Sequence, residues 1–539
     1  MMCEARKVVF TVSVSFLILT AFASVSEAKT IYVPDDYARI QWAVDSASIG
    51  DTIIVRDGTY YENVVVNKKL IIKSENGSAY CIVDGSGSTV FTLEADGIRI
   101  EGFSITGGRD GIYIRSNNNI ISNNTISSNN DCGVYLISNN SSISNNLISS
   151  NDDYGIYLRG NSNIISNNTI SNNKYIDLKG NNNRISNNII SNNNNGGICL
   201  GGNNNSISNN IISNNDGGIY FGGDNNSISN NLISSNAYEG IKLWEGNNNS
   251  ISNNIISSNT YEGIDLRGNN NSISENNISN NYYGIYLYES NNNSISNNNI
   301  NSNYWYGISL YESNNNIIYL NNFMDNTYNA FSYGSTNIWN STEKITYTYR
   351  GSKFENYMGN YWDDYKGSDA NGDGIGDTPY SIDSDKDNYP LMRPFEYYFV
   401  PEEPKVSVST DKYEYTAGDL MLINITFENP KDERKSVKFL WRLDIPDYNL
   451  SFTVINNKSL LLPPEFEKTF IISWRLPKLS ASFNASWYVA LYSDGIISKD
   501  TADWRYVGKK GEGRDIAIAE YYHSALDFDA MKIHLEDLK

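Results

Sequence analysis

The sequence predicts an all-β protein, in which a parallel β-helix with coils of about 22 residues precedes a β-sandwich of immunoglobulin-like kind. Three observations predict it. Short apolar phrases recur at nearly constant spacing, clusters of Asn, Ser and Gly separate them, and longer alternating strands without that spacing follow. The chain has 539 residues, of which 40% are hydrophobic and 12% aromatic, so it holds enough apolar surface for several cores.

A Gly-Ile-x-Leu phrase sets the period of the repeat. Its aliphatic residue recurs 20 to 23 residues apart, at Ile112, Val134, Ile156, Ile176, Ile198, Ile219, Ile241, Ile264, Ile285 and Ile308. An Ile-Ser-Asn-Asn phrase and a third apolar position keep the same spacing. Each repeat therefore contains three strands too short to pair within the repeat, and coils stacked about 4.8 Å apart would bury them.

Asparagine has a structural role at the corners of such coils. Its side-chain amide can donate to one neighbour and accept from another, and its backbone tolerates the left-handed conformation. The pairs that begin at Asn145, Asn167, Asn187 and Asn209 are the predicted ladder positions. The alternative, a disordered low-complexity tract, gives no reason for a constant apolar register.

The two ends of the chain differ from the repeats. Residues 1–28 combine basic residues, an apolar run and a small-residue site at Ala28, which predicts a secretory signal and an exported protein. In the β-helix, predicted for 29–338, Ile40, Ala43, Val44 and Ala47 mark a short amphipathic helix that caps the open end. A closing segment, 339–398, follows, and alternating strands predict the β-sandwich over 399–507. The tail, 508–539, has apolar spacing compatible with a helix.

Charge and cysteine content narrow the classes of partner. The net charge of −20 argues against nucleic acid and anionic membranes as partners. No segment after the signal has the roughly 20 apolar residues of a spanning helix, so no transmembrane anchor is expected after cleavage. Cys81, Cys132 and Cys199 remain, an odd number, which favours buried apolar roles over disulfides.

Three segments carry a family resemblance: IQWAVDSASIGDTIIVRDGTYYENV near the start, the repeats, and the closing segment at 359–392. With them the sequence resembles the right-handed parallel β-helix proteins of the pectate-lyase-like superfamily, and among them the NosD-type periplasmic and archaeal surface proteins. The resemblance implies a right-handed helix and one of two activities, copper delivery to a nitrous oxide reductase or action on polysaccharides. Only His523 and His534 offer imidazole to copper, both near the C-terminus.

An acidic loop in the closing segment predicts a structural Ca²⁺ site. Oxygen ligands fall at Asp369, Asn371, Asp373 and Asp377, with the Ile375 carbonyl between the last two. This spacing matches positions 1, 3, 5, 7 and 9 of an EF-hand-like loop, although position 12 is Tyr380 instead of Glu. The alternative is an acidic turn that closes on its own hydrogen bonds.

Residues that alternate with the buried Ile and Leu of the Gly-Ile-x-Leu phrase form a candidate carbohydrate-binding surface. Aromatic rings suit the apolar faces of sugars, and charged side chains suit their hydroxyls. The candidates are Tyr113, Tyr135, Tyr157, Arg159, Tyr220, Trp244, Arg267, Tyr286, Tyr288 and Tyr311. The alternative is that the tyrosines only stack on one another and stabilise the sheet.

Carboxylates one coil apart leave an enzymatic interpretation open. Asp131 with Asp153, Glu239 with Glu262 and Glu289 with Glu312 are such pairs. A spacing near 4.8 Å is close to that of a retaining glycosidase pair, but a repeat generates several such pairs without selection for chemistry.

We therefore predict an exported cell-surface protein that binds a polysaccharide or envelope glycan, and other surface proteins, without catalysis. A polysaccharide lyase, hydrolase or epimerase and a copper maturation factor are the alternatives.

Overall fold

The computed structural model describes residues 28–399, 403–431, 433–493 and 495–508. The predicted signal up to residue 27 and nearly all of the predicted C-terminal tail lie outside the described residues. The chain divides into two compact units. The first contains residues 28–271 and 280–282, and the second contains residues 272–279 and those from 283 onward.

The first unit consists of three parallel sheets, to which each coil contributes one short strand apiece. Sheet A contains Thr30–Val33, Thr52–Val55, Ile71–Ser74, Arg99–Glu101, Ile120–Ser122, Ser142–Ser144, Ile164–Ser166, Arg184–Ser186, Ser206–Ser208, Ser227–Ser229 and Ser250–Ser252. Sheet B contains Gly58–Tyr61, Cys81–Asp84, Ser104–Thr106, Thr125–Ser127, Leu147–Ser149, Thr169–Ser171, Ile189–Ser191, Ile211–Ser213, Leu232–Ser234 and Ile255–Ser257. Sheet C contains Val64–Val66, Phe91–Leu93, Ile112–Ile114, Val134–Ile137, Ile156–Arg159, Ile176–Lys179, Ile198–Gly201, Ile219–Gly222, Ile241–Glu245 and Glu262–Leu266.

The second unit repeats the three-strand coil. Its coil strands are Ser272–Ser274, Asn277–Ser279, Tyr283–Tyr288, Ser294–Ser296, Asn299–Asn301, Tyr306–Tyr311, Ile317–Tyr319, Asn322–Met324, Tyr328–Tyr333 and Tyr361–Trp362. Tyr361–Trp362 pairs with Asn322–Met324, so strand pairing of the coil type continues beyond residue 338. The predicted fold, an all-β parallel solenoid of coils of ~22 residues, is confirmed and comprises about 14 turns.

Burial of aliphatic side chains explains why such short strands form. The predicted inward residues of the repeat, such as Ile143, Ile148 and Leu158, are at most 1% exposed. Each pairs with the same residue type of the next coil, as Ile143 pairs with Ile165. A strand of three or four residues is unstable alone, and stacking gives it two hydrogen-bonded neighbours and a continuous apolar interior.

The two asparagines of each Asn-Asn corner have different roles. The first has a left-handed backbone, with φ of 57° at both Asn145 and Asn167. The second is buried, and Asn146 donates its backbone amide to Oδ1 of Asn168 at 2.9 Å. The Asn146 side-chain amide also donates to the carbonyl of Ile121, at 3.0 Å. The ladder residues are thus those one position after the left-handed asparagines.

The predicted N-terminal helix, α1, spans Ile40–Ser46 and buries Ile40, Ala43 and Val44. It packs against the first strands of sheets A and C. Glu62 accepts hydrogen bonds from the backbone amides of Ile40 and Gln41, and so satisfies two of the unpaired donors at the helix start.

The C-terminal part of the second unit contains mostly antiparallel sheets and two 3₁₀ turns. The hairpins Ile345–Tyr349 with Ser352–Asn356, and Tyr380–Ile382 with Asp385–Asp387, precede the turn Phe395–Tyr398. One sheet then contains Lys405–Thr410, Leu420–Asn429 and Phe466–Arg475, and another contains Glu414–Thr416, Ile496–Val507, Phe483–Tyr492, Lys435–Ile445 and Leu450–Leu462. The second turn is Pro446–Tyr448. Residues of both sheets, among them Trp441, Trp474 and Trp487, share one buried core, as expected of a sandwich. The immunoglobulin-like relationship stays a prediction.

Candidate binding surface on sheet C

Sheet C carries the predicted surface because its strands alternate inward and outward side chains. In the strand Ile156–Arg159, Ile156 and Leu158 are fully buried while Tyr157 is half-buried and Arg159 exposed. The strand pairs in register with Val134–Ile137, so Tyr135 lies beside Tyr157. Outward residues of successive coils therefore form columns on one face of the sheet.

The tyrosine rings at the start of this column contact one another, Tyr113 meeting Tyr135 edge to face and Tyr135 stacking on Tyr157. The ring centroids of Tyr113 and Tyr135 are 5.0 Å apart, and those of Tyr135 and Tyr157 are 4.7 Å apart at 28° between planes. The guanidinium of Arg115 lies 4.6 Å from the Tyr113 ring centroid, and that of Arg159 lies 5.0 Å from the Tyr157 ring centroid. The ring faces are thus largely in contact with protein groups. This is the arrangement expected if the tyrosines only pack on one another and stabilise the sheet.

Trp244 differs from these tyrosines. Its side chain lies over Gly222, at whose position an added Cβ would fall 2.4 Å from the indole Nε1. The residue is 42% exposed. Glycine at 222 therefore makes room for the indole to lie close to the strand of the preceding coil, where a side chain would displace it. Among the candidate residues, Trp244 is therefore the exposed aromatic side chain that packs against backbone instead of against another ring.

A cluster of charged side chains, Glu239, Lys242 and Asp265, lies on the same part of the molecule together with Tyr220. Lys242 Nζ lies 2.5 Å from Glu239 Oε1 and 3.0 Å from Asp265 Oδ2. Tyr220 donates its hydroxyl to Glu239 Oε2 at 2.8 Å. Asp265 is 2% exposed, and its Oδ1 has no hydrogen-bond partner, although Arg267 Nε lies 3.7 Å away. The cluster therefore offers ammonium, carboxylate and hydroxyl groups side by side.

The two glutamates of this cluster have opposite pKa shifts. Burial opposes ionisation of Glu239, but hydrogen bonds from Lys242, from its own backbone amide and from Tyr220 outweigh it and lower the pKa. Burial raises the pKa of Glu262, and the nearby carboxylates of Asp265 and Glu239 raise it further. Glu239 and Glu262 occupy the same position in successive coils, two residues before Ile241 and Ile264. A carboxyl of lowered pKa therefore lies next to one of raised pKa.

Tyr238 and Tyr261 extend the surface beyond the predicted residues. Their rings are nearly parallel, with centroids 5.7 Å apart at 13°, and the residues are 49% and 46% exposed. Each precedes a Glu-Gly-Ile sequence at the corner that leads into sheet C. A search restricted to the strand misses them, but aromatic residues recurring two positions before the Gly-Ile-x-Leu phrase would have identified them.

The second unit carries the remaining predicted tyrosines. Tyr288 and Tyr311 stack with centroids 5.5 Å apart at 6°, and Tyr311 stacks on Tyr333 at 5.0 Å. Tyr286 contacts Tyr283, at 5.8 Å between centroids. Here too the faces of the rings are largely covered by other rings, and the ring edges are the part available to a ligand.

The acidic loop of the closing segment is closed by hydrogen bonds to its own backbone. Asp369 accepts from the amides of Asp373 and Gly374 at 3.0 and 2.9 Å. Asn371 Oδ1 accepts from the Asp373 amide at 3.0 Å, and Asp373 Oδ1 accepts from the Ile375 amide at 2.8 Å. A separate hydrogen bond joins the amide of Ala370 to Asp377 Oδ2, at 2.9 Å. The predicted ligands are gathered in one loop, and the Ca²⁺ site stays a prediction.

Comparison with known families covers the repeats. The profile described as right handed beta helix region matches residues 87–226, and the profile described as periplasmic copper-binding protein (NosD) matches residues 175–367. Over residues 87–367 the chain is thus similar to NosD-type right-handed β-helix proteins. The predicted recognition is thereby confirmed, and the family fits an extracytoplasmic location.

Individual relatives of the NosD-type protein are more distant. A cell surface glycoprotein of Methanothermus fervidus is 39% identical over 113 residues, which make up 20% of this chain and 19% of that protein. The chain thus spans about a fifth of the length of this curated relative. The relative and the fold fit a surface β-helix protein.

Two solved structures show a distant likeness. The A-module of a mannuronan C-5 epimerase from Azotobacter vinelandii is 15% identical with a TM-score of 0.40, covering 56% of this chain and 93% of the module. The receptor binding domain of the siphovirus 9NA tailspike is 11% identical with a TM-score of 0.42, covering 86% and 98%. At this similarity neither structure bears on the chemistry of the NosD-type protein.

The donor atoms of the described residues do not fit copper. Copper sites in proteins use imidazole, thiolate and thioether ligands. His523 and His534 lie outside the described residues, so the described part of the chain has no imidazole. The group of potential metal ligands found there contains one thiol and two carboxylates. We therefore derive no copper-dependent step for the NosD-type protein.

A membrane-spanning segment is not found among the described residues, where no helix is both long and apolar enough to cross a bilayer.

Proposed function

We propose that this protein is an extracytoplasmic glycan-binding protein, which binds an extended polysaccharide along the outward face of sheet C without altering it. The observation that carries the proposal is the exposed indole of Trp244, held over Gly222 beside the charged cluster of Glu239, Lys242 and Asp265. An aromatic face beside paired hydrogen-bonding groups matches the apolar and hydroxyl faces of a pyranose ring.

The column geometry suits a polymer better than a small molecule. Coils rise by about 4.8 Å, so equivalent side chains recur along the sheet at a regular spacing. Trp244, Tyr238 and Tyr261 are the most exposed aromatic groups of this region of the first unit. The stacked tyrosines contribute hydroxyls and ring edges, since their faces are engaged with one another. The predicted set is therefore retained as the binding surface, with Trp244 as the principal stacking residue.

Binding by wild-type protein and Trp244→Ala tests the proposal. Isothermal titration with neutral and acidic polysaccharides, selected on a glycan array, should show at least a tenfold loss of affinity in the variant. Trp42→Ala is the matched control, because Trp42 is 52% exposed in α1 and distant in sequence from the surface. Equal affinity in wild type and Trp244→Ala, or an equal loss in Trp42→Ala, would contradict the assignment.

A second function, catalysis on a polysaccharide, is favoured by the opposite pKa shifts of Glu239 and Glu262. A carboxyl of raised pKa next to one of lowered pKa is the arrangement of a general acid beside a base or nucleophile. Glu262 would donate a proton to a leaving oxygen, and Glu239 would act as the base or nucleophile. Lys242 would hold Glu239 in place and neutralise its charge.

Product analysis separates the two functions. Incubation of wild-type protein with the polysaccharides it binds should release no shortened or epimerised product if binding is the function. If product forms, Glu262→Gln should abolish turnover while leaving affinity within about threefold, because the amide keeps the size of the carboxyl and removes its proton. Turnover that persists in both Glu262→Gln and Glu239→Gln would exclude this pair as the catalytic one.

A further inference from the structure

Asp110 and Cys132 occupy equivalent positions in two successive coils. Each lies two residues before the first buried aliphatic residue of a sheet C strand, and those residues, Ile112 and Val134, pair directly. Both side chains are buried, at 2% and 1% exposure. Asp131, the residue before Cys132, is half-buried and gives this corner access to solvent.

The three side chains converge. One ligand atom from each of Asp110, Asp131 and Cys132 lies within 4.8 Å of the other two. The Cys132 thiol donates to Asp131 Oδ1 at 3.5 Å. Among the residues that the structure describes, these three side chains form the group of acidic, thiol or imidazole side chains that are close enough together to hold a metal ion.

An independent observation at Asp110 supports a cation-binding role for this group. Asp110 Oδ1 is buried and has no hydrogen-bond partner. The other oxygen, Oδ2, accepts from Arg109 Nη2 at 2.7 Å and from the Thr89 hydroxyl at 3.1 Å. A buried carboxylate oxygen without a hydrogen-bond partner destabilises the folded state, so its retention needs a reason.

We propose that Asp110, Asp131 and Cys132 bind a divalent metal ion, and that the ion is Zn²⁺. Zinc accepts sulfur and carboxylate oxygen together, whereas Ca²⁺ takes oxygen ligands and Cu⁺ prefers sulfur. Asp110 Oδ1, an Asp131 oxygen and Cys132 Sγ supply three ligands. A water on the solvent side, next to Asp131, takes the fourth position. Binding displaces the thiol proton to solvent, since the thiolate is the ligand.

The charges around the corner suit a dication. Asp110 pairs with Arg109, and Asp153, one coil beyond Asp131, pairs with Lys174 at 2.9 Å. These two pairs balance, so in the metal-bound form the Asp131 carboxylate and the Cys132 thiolate are the two remaining negative charges. A bound Zn²⁺ neutralises them.

Cadmium and zinc titration of the full-length chain tests the site. Cd²⁺ should give a sulfur-to-metal charge-transfer absorption in the ultraviolet, which Zn²⁺ competes away and Ca²⁺ does not. Cys132→Ser should remove the absorption and reduce Zn²⁺ affinity at least tenfold. Cys199→Ser is the matched control, because Cys199 also lies on sheet C and pairs with Asp177, a single carboxylate. It should bind Zn²⁺ as the wild type does.

Asp131→Asn provides a second test in case the substitution of the buried Cys132 impairs folding. Asp131 is half-buried, and asparagine has nearly the same size as aspartate. Zn²⁺ should raise the thermal unfolding midpoint of the wild type and of Cys199→Ser, and should leave that of Asp131→Asn unchanged. The proposal is overturned if wild-type protein shows no cadmium–thiolate band, or if Cys132→Ser and Asp131→Asn bind Zn²⁺ with wild-type affinity. A thiolate band that Cu⁺ but not Zn²⁺ suppresses would overturn the assignment of the metal.

Discussion

Asn146 donates both its backbone amide and its side-chain amide to Oδ1 of Asn168, at 2.9 and 3.0 Å. Asn168 repeats this arrangement toward Asn188, at 2.9 and 3.0 Å. The acceptor oxygen of each ladder residue therefore satisfies two donors of the coil before it. Because these groups are buried, the ladder replaces water as their hydrogen-bond partner.

Asn168→Ala should destabilise the first unit by about 1–3 kcal/mol, since it leaves the buried backbone amide of Asn146 without its acceptor and removes the side-chain donor to the carbonyls of Ile143 and Ser166. The lower midpoint of guanidinium unfolding measures this loss, together with faster hydrogen exchange at the Asn146 amide. Asn161→Ala is the control, because Asn161 belongs to an exposed ladder in which water can replace its side chain. Equal effects of the two substitutions would show that burial does not matter.

Gly222→Ala should weaken glycan binding several-fold without unfolding the sheet, because the added Cβ falls 2.4 Å from Trp244 Nε1 and displaces the indole. Gly201→Ala is the matched control in the preceding coil, where the nearest atom to an added Cβ is Lys179 Cγ at 3.8 Å. Titration calorimetry and tryptophan fluorescence follow the two variants. Loss of affinity in Gly201→Ala alone would place the binding surface elsewhere.

Asp387 should make the closing segment less stable as the pH rises from about 4 to 6. Burial raises the pKa of Asp387 to about 6 from the ordinary 3.8, although the amides of Asn360 and Tyr389 and the indole of Trp362 donate to it. Between these values the folded state binds more protons than the unfolded state, so stability falls with pH, by about 3 kcal/mol in all.

Hydrogen exchange at the Asn360 and Tyr389 amides measures this pH dependence locally. Asp387→Asn should be less stable at low pH, since its amide NH₂ meets donors, and should lack the decline between pH 4 and 6. A wild-type closing segment that gains stability across this window would contradict the assignment.

Ca²⁺ should raise the unfolding temperature of the closing segment by several degrees at millimolar concentration, if it displaces the backbone amides that now occupy Asp369 and Asp373. Asp373→Asn should abolish this shift, and Asp224→Asn, which changes a half-buried acid in the first unit, should leave it unchanged. Differential scanning calorimetry with and without a chelator provides the measurement. Insensitivity of the wild type to Ca²⁺ would mean that the loop closes on its own hydrogen bonds.

The repeat made most of the fold predictable from sequence. Ile156, Ile241 and Ile285 are fully buried as their register predicted, because a period of about 22 residues with two-residue alternation permits few other arrangements. The roles within the Asn-Asn pairs were less predictable. Backbone conformation separates the left-handed Asn167 from the buried Asn168, and the two have the same side chain.

The candidate sites depended on contacts between coils, which composition does not encode. Tyr135 looks like a free aromatic residue in the sequence, yet its ring stacks on Tyr157. Asp110 and Cys132 are 22 residues apart and look unrelated until the coils are aligned. The opposite pKa shifts of Glu239 and Glu262 arise from burial and from Lys242, which no local pattern reveals.

The direction of the buried asparagine ladder has a consequence for evolution. Every coil presents its acceptor oxygens to the coil before it and its amide donors to the coil after it, as in the series from Asn146 to Asn188. Duplication or deletion of one whole period in this series leaves an identical junction, with each donor matched as before. The number of turns, and with it the length of surface offered to a ligand, is therefore free to change between related organisms by unequal recombination.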